Sequence, residues 1–496
     1  MTELPQSLFG AAQTRELDRL AIEDCGIAGA SLMTTAGEAA FACVRRKWPQ
    51  AKHITVVCGG GNNGGDGYVV AHAAKSAGMD CCVLALAEPR SDDAKQMRRM
   101  VETDGIAVES FDAQLPSTDV IVDGLFGTGL ERAVSGQWAR AIEAINAATA
   151  PVLALDIPSG IHADTGRVLG SAVRADLTVT FIGLKLGLFT GRGPEFVGEI
   201  RFENLGVPSQ IYDVVSPLAV RVTPQSLCRL VPRRARDAHK GHAGHVLVVG
   251  GDLGMPGAVR MAGAAAYRSG AGLVTVATQA AHAELVTAYT PELMVAAVDD
   301  CEALRQCAER CSAIAVGPGL GRNAWGQAMF AAATELNRPL VVDADALNLL
   351  ADNPFSRDNW VLTPHPGEAA RLLGSSTADV QADRRAAACA IIERYGGVCV
   401  LKGAGTLIAS SSDNVYLCDR GNPGMASGGM GDVLSGVIIA LIAQGLGLAE
   451  AARLGAWIHA SAGDRGAQQG GELGLMATDL LRHIRAELND LAALSR

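Results

Sequence analysis

His53-Ile54-Thr55-Val56-Val57-Cys58 runs directly into Gly59-Gly60-Gly61-Asn62-Asn63-Gly64-Gly65-Asp66-Gly67, and this junction decides the fold. A short run rich in β-branched residues reads as a buried strand. The glycine stretch reads as a strand-to-helix turn opening a helical pattern over 68–77. It contains GxGxxG at Gly59, Gly61 and Gly64. Glycines there are expected to take positive φ and to let backbone N–H groups approach a pyrophosphate at a helix N-terminus. An ordinary turn has little use for Asn62, Asn63 and Asp66 together, so a ligand or a cation held by oxygen atoms is expected.

Working outward, apolar runs over 81–87, 120–122, 152–155 and 177–181 read as further parallel strands, with a helical pattern over 136–147. Their alternation predicts a doubly wound α/β sheet. Two more strand ends carry an acid followed by glycines: Asp123-Gly124-Leu125-Phe126-Gly127-Thr128-Gly129 and Asp156-Ile157-Pro158-Ser159-Gly160. Asp66, Asp123 and Asp156 are therefore expected along the crevice where open α/β sheets bind ligands. Asn63, Asp123 and Ser159 are hard oxygen ligands, suited to an alkali or alkaline-earth cation and poor for zinc.

The first pattern ends near Gly206, and residues 207–236, with four prolines, read as a connector. A second α/β series follows, with strands expected over 245–249, 273–277, 313–316, 339–342, 360–362, 398–401 and 406–409, and helices over 258–267 and 431–442. It lacks GxxxxGK[ST], so the P-loop is excluded. It has instead a glycine-rich segment from Gly421 to Asp432 before an apolar helix. Such a segment forms an anion hole, with Asp432 placed to take a proton from a hydroxyl undergoing phosphoryl transfer. Lys402-Gly403-Ala404-Gly405-Thr406 is a tight turn between strands, apt for nucleotide phosphates. His365, between two prolines, is expected to be held rigidly as a substrate contact. His239, His242 and His245 lack an acidic or thiol partner for a metal, and His459 reads as a satisfied core residue.

The chain has 496 residues, enough for two or three domains, and its 58 glycines exceed the roughly 35 of usual composition. A net charge of -10 argues against general affinity for nucleic acid or anionic membrane, so no nucleic-acid or membrane partner is expected. The longest apolar run, 437–443, is far short of a membrane span, and the first twenty residues carry Glu3, Glu16 and Asp18 rather than a signal sequence. The 12 cysteines are scattered without a zinc spacing, which fits reduced thiols and a cytoplasmic location.

Together these motifs resemble the bifunctional NAD(P)H-hydrate repair enzymes over nearly the whole chain. The first set comprises the 61–67 and 125–130 segments, Leu155 through Gly160, and Thr178-Val179-Thr180-Phe181 before Lys185. The second comprises His239-Lys240-Gly241, residues 268–274, Gly317 through Gly321, residues 343–348, the His365 segment and residues 424–436. The resemblance implies a Rossmann-like epimerase domain over 1–220 and a ribokinase-like dehydratase domain over 221–496. It implies substrate contacts at Asn62, Asn63, Gly64, Gly65 and Asp66, then at Gly127, Thr128, Gly129, Leu130, Glu131, Arg132 and Ala133, and at Asp156. Potassium is implied at Asn63, Asp123 and Ser159. In the second domain it implies substrate contacts at Ala258, Gly319, His365 and Asp432, and an adenine-nucleotide site at Lys402, Gly403, Ala404, Gly405, Thr406 and Gly431. Asp252 departs from the family, which usually has serine there.

The implied substrates are NADHX and NADPHX, the hydrated nicotinamide cofactors, with ADP as phosphoryl donor, Mg²⁺ on its phosphates and K⁺ in the first domain. Asp156 is the expected acid/base for epimerisation, with Lys185 as its partner, and Asp432 the expected base for dehydration. A homo-oligomer is the expected assembly. The rival reading is a small-alcohol or vitamin-precursor kinase fused to a nucleotide-binding regulatory module.

Overall fold

The computed structural model describes residues 4–112, 114–288 and 290–495. The chain divides into two compact units, Met1–Val220 and Arg221–Arg496.

The sheet of the first unit has seven strands: β1 (His53–Cys58), β2 (Asp80–Ala85), β3 (Val108–Ser110), β4 (Val120–Gly124), β5 (Val152–Leu155), β6 (Leu177–Phe181) and β7 (Glu199–Glu203). All neighbours are parallel, in the order β3-β2-β1-β4-β5-β6-β7. The order reverses between β1 and β4, the switch point at which open α/β sheets bind ligands. β1 shows why both faces need cover. Ile54, Val56 and Cys58 join one apolar core and Val57 the other, so a strand buried on both sides reads as a continuous apolar run.

The 59–67 stretch differs from expectation. The helix begins at Asn62, not at Tyr68, and runs over Asn62–Ser76. None of its glycines has positive φ. They are needed for close approach: a Cβ on Gly64 would lie 2.0 Å from the Gly59 carbonyl oxygen, and one on Gly65 2.5 Å from Met33 Sδ. β2 ends at Ala85, short of the expected 87. β4 extends to Gly124, so Asp123 lies inside the strand rather than after it.

The expected connector is ordered. It contains the short helices Ile211–Val214 and Pro224–Leu227 and the strand Ala219–Arg221, which pairs antiparallel with Ser7–Leu8. Its prolines conceal apolar anchors: Val207, Ile211 and Val215 pack into the core of the first unit, and Val222 and Leu227 into that of the second.

The second unit contains β8 (His245–Val249), β9 (Leu273–Thr278), β10 (Met294–Ala297), β11 (Ala313–Val316), β12 (Leu340–Val342), β13 (Trp360–Leu362), β14 (Val398–Leu401), β15 (Thr406–Ser411) and β16 (Asn414–Cys418). They lie in the order β16-β15-β14-β13-β12-β11-β8-β9-β10. β8 to β14 pair in parallel, and β15 and β16 are antiparallel. The helix Met430–Ala443 is buried along almost its whole length. It meets the helix Pro256–Arg268 so closely that a Cβ on Gly436 would stand 2.1 Å from the Ala262 carbonyl oxygen. β10 and β16 escaped the sequence reading. Met294–Ala297 is a half-exposed edge, and Asn414–Cys418 is a five-residue run that pairs antiparallel with its neighbour.

Gly64→Ala is expected to destabilise the first unit by about 1–3 kcal/mol through overpacking. Gly129→Ala, where an added Cβ meets nothing within 4 Å, should shift stability by less than about 0.5 kcal/mol. Denaturant unfolding of both variants checks the difference.

Candidate active sites

In the first unit, strand ends and the helix Asn62–Ser76 enclose a cavity of about 790 Å³. Asn62, Asn63, Asp66, Asp156 and Lys185 line it, as does the loop from Gly127 to Arg132. Gly64, Gly65 and Ala133 do not form its wall. The two glycines pack beneath it, against Gly59 and Met33.

Asp156 follows β5 with φ +65°, in the left-handed region that a non-glycine residue adopts only under constraint. Ile182 (φ +58°) and Leu205 (φ +57°) line the same cavity. Asp156 N donates to the Val179 carbonyl at 2.7 Å, and its side chain meets Lys185. This fully buried ammonium pairs with Asp156 Oδ1 and donates to Thr180 Oγ1 at 3.1 Å and to the Phe181 carbonyl at 2.9 Å. Asp156 Oδ1 also accepts from Phe181 N at 3.3 Å. Its Oδ2 is turned toward Gly127, 3.7 Å from where a Cβ there would stand.

The single ammonium serves more than one acid. Burial, then the neighbouring Asp156 and Asp18, push the Asp66 carboxyl well above its ordinary range. Asp18 is itself raised to about 6, chiefly by burial, with Lys185 opposing and Asp156 adding. Sequence reasoning missed Asp18, citing it only as a charge near the N-terminus. It lies on the helix Ala11–Arg19, far in sequence from the strand-end motifs, and only the i+3/i+4 pattern with Thr14 and Leu17 hints that it faces inward.

Asp123 stands apart from this wall. It is fully buried, and its carboxylate accepts from Ser159 N at 2.8 Å, Ser159 Oγ at 2.6 Å and Leu125 N at 3.2 Å. Burial still raises it to about 6 against those bonds. Asn63 donates from Nδ2 to the Phe126 carbonyl at 2.9 Å, while its buried Oδ1 has no partner. An orphaned amide oxygen beside a buried carboxylate and a serine hydroxyl fits a hard monovalent cation. Among the described residues no cluster of three His, Cys, Asp or Glu suits a metal ion, and His239 and His242 merely stack at 3.6 Å.

In the second unit, Lys402 at the end of β14 donates to Asp343 Oδ1 at 2.7 Å and lies 3.8 Å from Glu368 Oε2. Asp343 Oδ2 accepts from Ser435 Oγ at 2.8 Å. Burial penalises the Asp343 charge, but Lys402 and the hydroxyls hold it below the usual range. A Cβ on Gly431 would stand 3.2 Å from Lys402 Nζ, so glycine there lets the helix Met430–Ala443 start against the ion pair. Asp432 lies in the first turn of that helix, and burial, then Asp343, raise it to about 7. Asp343, Glu368 and Ser435 were quoted in motifs without a role. Their function emerges only when three distant segments meet.

The turn 402–406 takes positive φ at Gly403 and Gly405. It rests on buried Arg384, whose Nη2 donates to the carbonyls of Leu401 at 3.2 Å and Lys402 at 3.1 Å. Lys402 is thus engaged by Asp343, rather than freely extended toward phosphates as the turn alone suggested. His365 is held less by its prolines than as the N-cap of the helix Pro366–Leu373, Nδ1 accepting from Gly367 N at 3.0 Å. His459 is buried but not satisfied: Nε2 has no partner, and burial lowers the ring to about 4. Gly319 places its backbone against Ala258, 3.2 Å from the position of an added Cβ. Asp252 accepts from Asn323 Nδ2 at 2.7 Å and Gln279 Nε2 at 3.1 Å beside it.

Two α/β units with acid-lined strand ends, one at a sheet switch point and one beside a glycine-rich helix start, define a two-site enzyme. Residues 29–187 match the family described as YjeF-related protein N-terminus, and residues 246–486 the family described as NAD(P)H-hydrate dehydratase. The chain is 48% identical, over 97% of its length and 99% of the relative's, to a bifunctional NAD(P)H-hydrate repair enzyme of Coxiella burnetii. It is 43% identical to that of Escherichia coli, covering 98% of this chain and 95% of the relative. A solved ADP/ATP-dependent NAD(P)H-hydrate dehydratase from Bacillus subtilis is 27% identical at TM-score 0.50, covering 54% of this chain and 97% of that one. A ribokinase-like superfamily protein from Enterococcus faecalis is 28% identical at TM-score 0.52, covering 55% of this chain and 96% of that one. The chain belongs to the family of bifunctional NAD(P)H-hydrate repair enzymes, with a Rossmann-like first unit and a ribokinase-like second.

A base must be deprotonated to act, so if Asp432 is the base, kcat/KM for dehydration should rise with pH through a midpoint near 7. Asp432→Asn should lower the rate about 10² to 10⁴-fold and abolish that limb. A pH–rate profile of the two proteins checks both outcomes.

Proposed function

We propose that the first unit interconverts the R and S epimers of NADHX and NADPHX, and that the second dehydrates the S epimer at the expense of ADP, giving AMP and phosphate. The observation that carries this reading is that a match over nearly the whole chain accompanies two separate acid sites, each with a carboxyl raised above its ordinary range beside a lysine–aspartate pair.

In the first site the hydroxyl on ring carbon C6 leaves when it is protonated and the ring nitrogen supplies its electron pair. Asp156, paired with Lys185, is the proposed acid/base for that proton, and Asp66, whose carboxyl burial pushes well above its ordinary range, lines the same cavity. Water returning to either face scrambles the stereocentre. The wall from Gly127 to Arg132 is the proposed seat of the dinucleotide, and Asn63, Asp123 and Ser159 would hold K⁺, which supplies fixed positive charge under that wall.

In the second site Asp432 takes the proton of the C6 hydroxyl as its oxygen attacks the terminal phosphorus of ADP, and AMP departs. The amides of residues 428–431 face the transferred group. The C–O bond then breaks as the ring nitrogen donates, phosphate leaves, and loss of a C5 proton restores the dihydropyridine. Ala258, Gly319 and His365 would contact the substrate, and Lys402 through Thr406 with Gly431 the nucleotide, which enters as its Mg²⁺ complex. The 12 free cysteines support a reducing, cytoplasmic setting, and no helix of the described residues is long and apolar enough to cross a membrane.

The test mixes the whole chain with racemic hydrated NADH and ADP. Restored dihydropyridine absorbance and AMP should rise together to complete conversion. Asp156→Asn should stop near half, apart from slow spontaneous epimerisation. A stable phosphate ester in place of free phosphate would support the kinase reading instead.

The cation assignment has its own readout. Potassium should raise the melting temperature relative to a bulky organic cation, and Asn63→Ala should remove the increment. Equal melting temperatures of the unaltered chain in the two buffers would count against the site.

A further inference from the structure

Arg384 opens the helix Arg384–Tyr395 and is only 1% exposed. Burial lowers its pKa to about 10, so the guanidinium stays charged at neutral pH. A buried charge is normally paired, yet among the described residues Arg384 forms no ion pair. Nη1 donates to Gln381 Oε1 at 2.9 Å, and Nη2 to the carbonyls of Leu401 at 3.2 Å and Lys402 at 3.1 Å. Nε has no partner. Three neutral acceptors and an orphaned N–H leave a full positive charge uncompensated beneath the 402–406 turn.

The backbone above that charge supplies an independent observation. Lys402 N donates to the Pro364 carbonyl at 2.9 Å, while the Lys402 carbonyl is drawn onto the guanidinium. A trans peptide sets its C=O and the following N–H on opposite sides, so the Gly403 N–H points away from Arg384. Gly403 and Ala404 are exposed, and among the described residues neither amide nitrogen has a protein acceptor. Glycine at 403 is what allows the cation so close: its φ is +134°, and a Cβ there would stand 3.0 Å from Nη1 and 3.1 Å from Nη2.

We propose that Arg384 is a positioning residue for the phosphoryl donor. It holds the Leu401 and Lys402 carbonyls inward, which turns the Gly403 amide outward to meet a phosphate, and its charge behind the turn adds to the attraction. The inference rests on the assignment of the 402–406 turn to the nucleotide. The diphosphate supplies the negative charge that the guanidinium lacks, and Arg384 acts on it through the backbone without touching it. Asp432 and the glycine-rich segment, which serve the transfer itself, do not depend on this contact.

The test follows dehydration by the whole chain at varied ADP and varied hydrated NADH. Arg384→Gln should raise KM for ADP about tenfold or more, lower kcat less than about threefold and leave KM for the hydrate unchanged. Arg384→Lys, which keeps the charge and loses the fork, should recover part of that loss. Epimerisation by the same preparations should not change. In the unaltered chain ADP alone should slow amide hydrogen exchange over 402–406, a readout that needs no variant. Gly403→Ala reports on the turn itself. If ADP protects the turn and Gly403→Ala raises KM for ADP while both arginine variants leave it unchanged, this inference fails and the nucleotide assignment stands. Loss of the second unit's melting transition in both arginine variants makes Arg384 a core residue and also overturns it. No protection by ADP, with KM unmoved in Gly403→Ala, removes the assignment and the inference together.

Discussion

In each half of the chain one lysine faces more than one carboxyl group, some at strand ends and some on helices. Lys185 is committed to Asp156, and Asp66 and Asp18 are left to share what remains of its field. Lys402 is committed to Asp343, which leaves Asp432 to rise to about 7. Burial disfavours charge, and a nearby anion disfavours it further, so each unsatisfied carboxyl is pushed above its ordinary range, Asp432 to about 7. That is the condition a group needs to exchange protons with a hydroxyl at physiological pH.

The backbone is shaped to keep those charges close. Asp156 and Ala344, each next to a member of an ion pair or itself one, hold positive φ without being glycine. Gly64 and Gly431 serve by lacking a side chain where a strand-end oxygen or a lysine ammonium passes within a few ångström. The apolar helix Met430–Ala443 and the core around β1 back these contacts with buried side chains.

Much of this was legible in the sequence because parallel strands buried on both faces announce themselves as apolar runs, and the residue after each run is fixed at the sheet's ligand-binding edge. Asp123 and Asp156 were singled out that way, and Asp432 by the glycine-rich segment that precedes an apolar helix. Asp18 and Arg384 were not, because each reaches the site from a helix whose own pattern says only that one face is buried. The glycine stretch at 59–67 was placed correctly and explained wrongly: its residues are helical from Asn62 and serve packing rather than positive φ. His459 looked like a satisfied core residue, since an unpartnered nitrogen depends on distances that no periodicity encodes.

The most direct test of the shared-lysine account is the protonation of Asp432 itself. Infrared difference spectra of the unaltered chain against Asp432→Asn, with carbon-13 in the aspartate carboxyls, should show a protonated carboxyl band that disappears as pH rises through about 7. In a Lys402→Met background the disappearance should move to higher pH, because the nearest positive charge is gone. A band already absent at pH 5 in the unaltered chain would contradict the account.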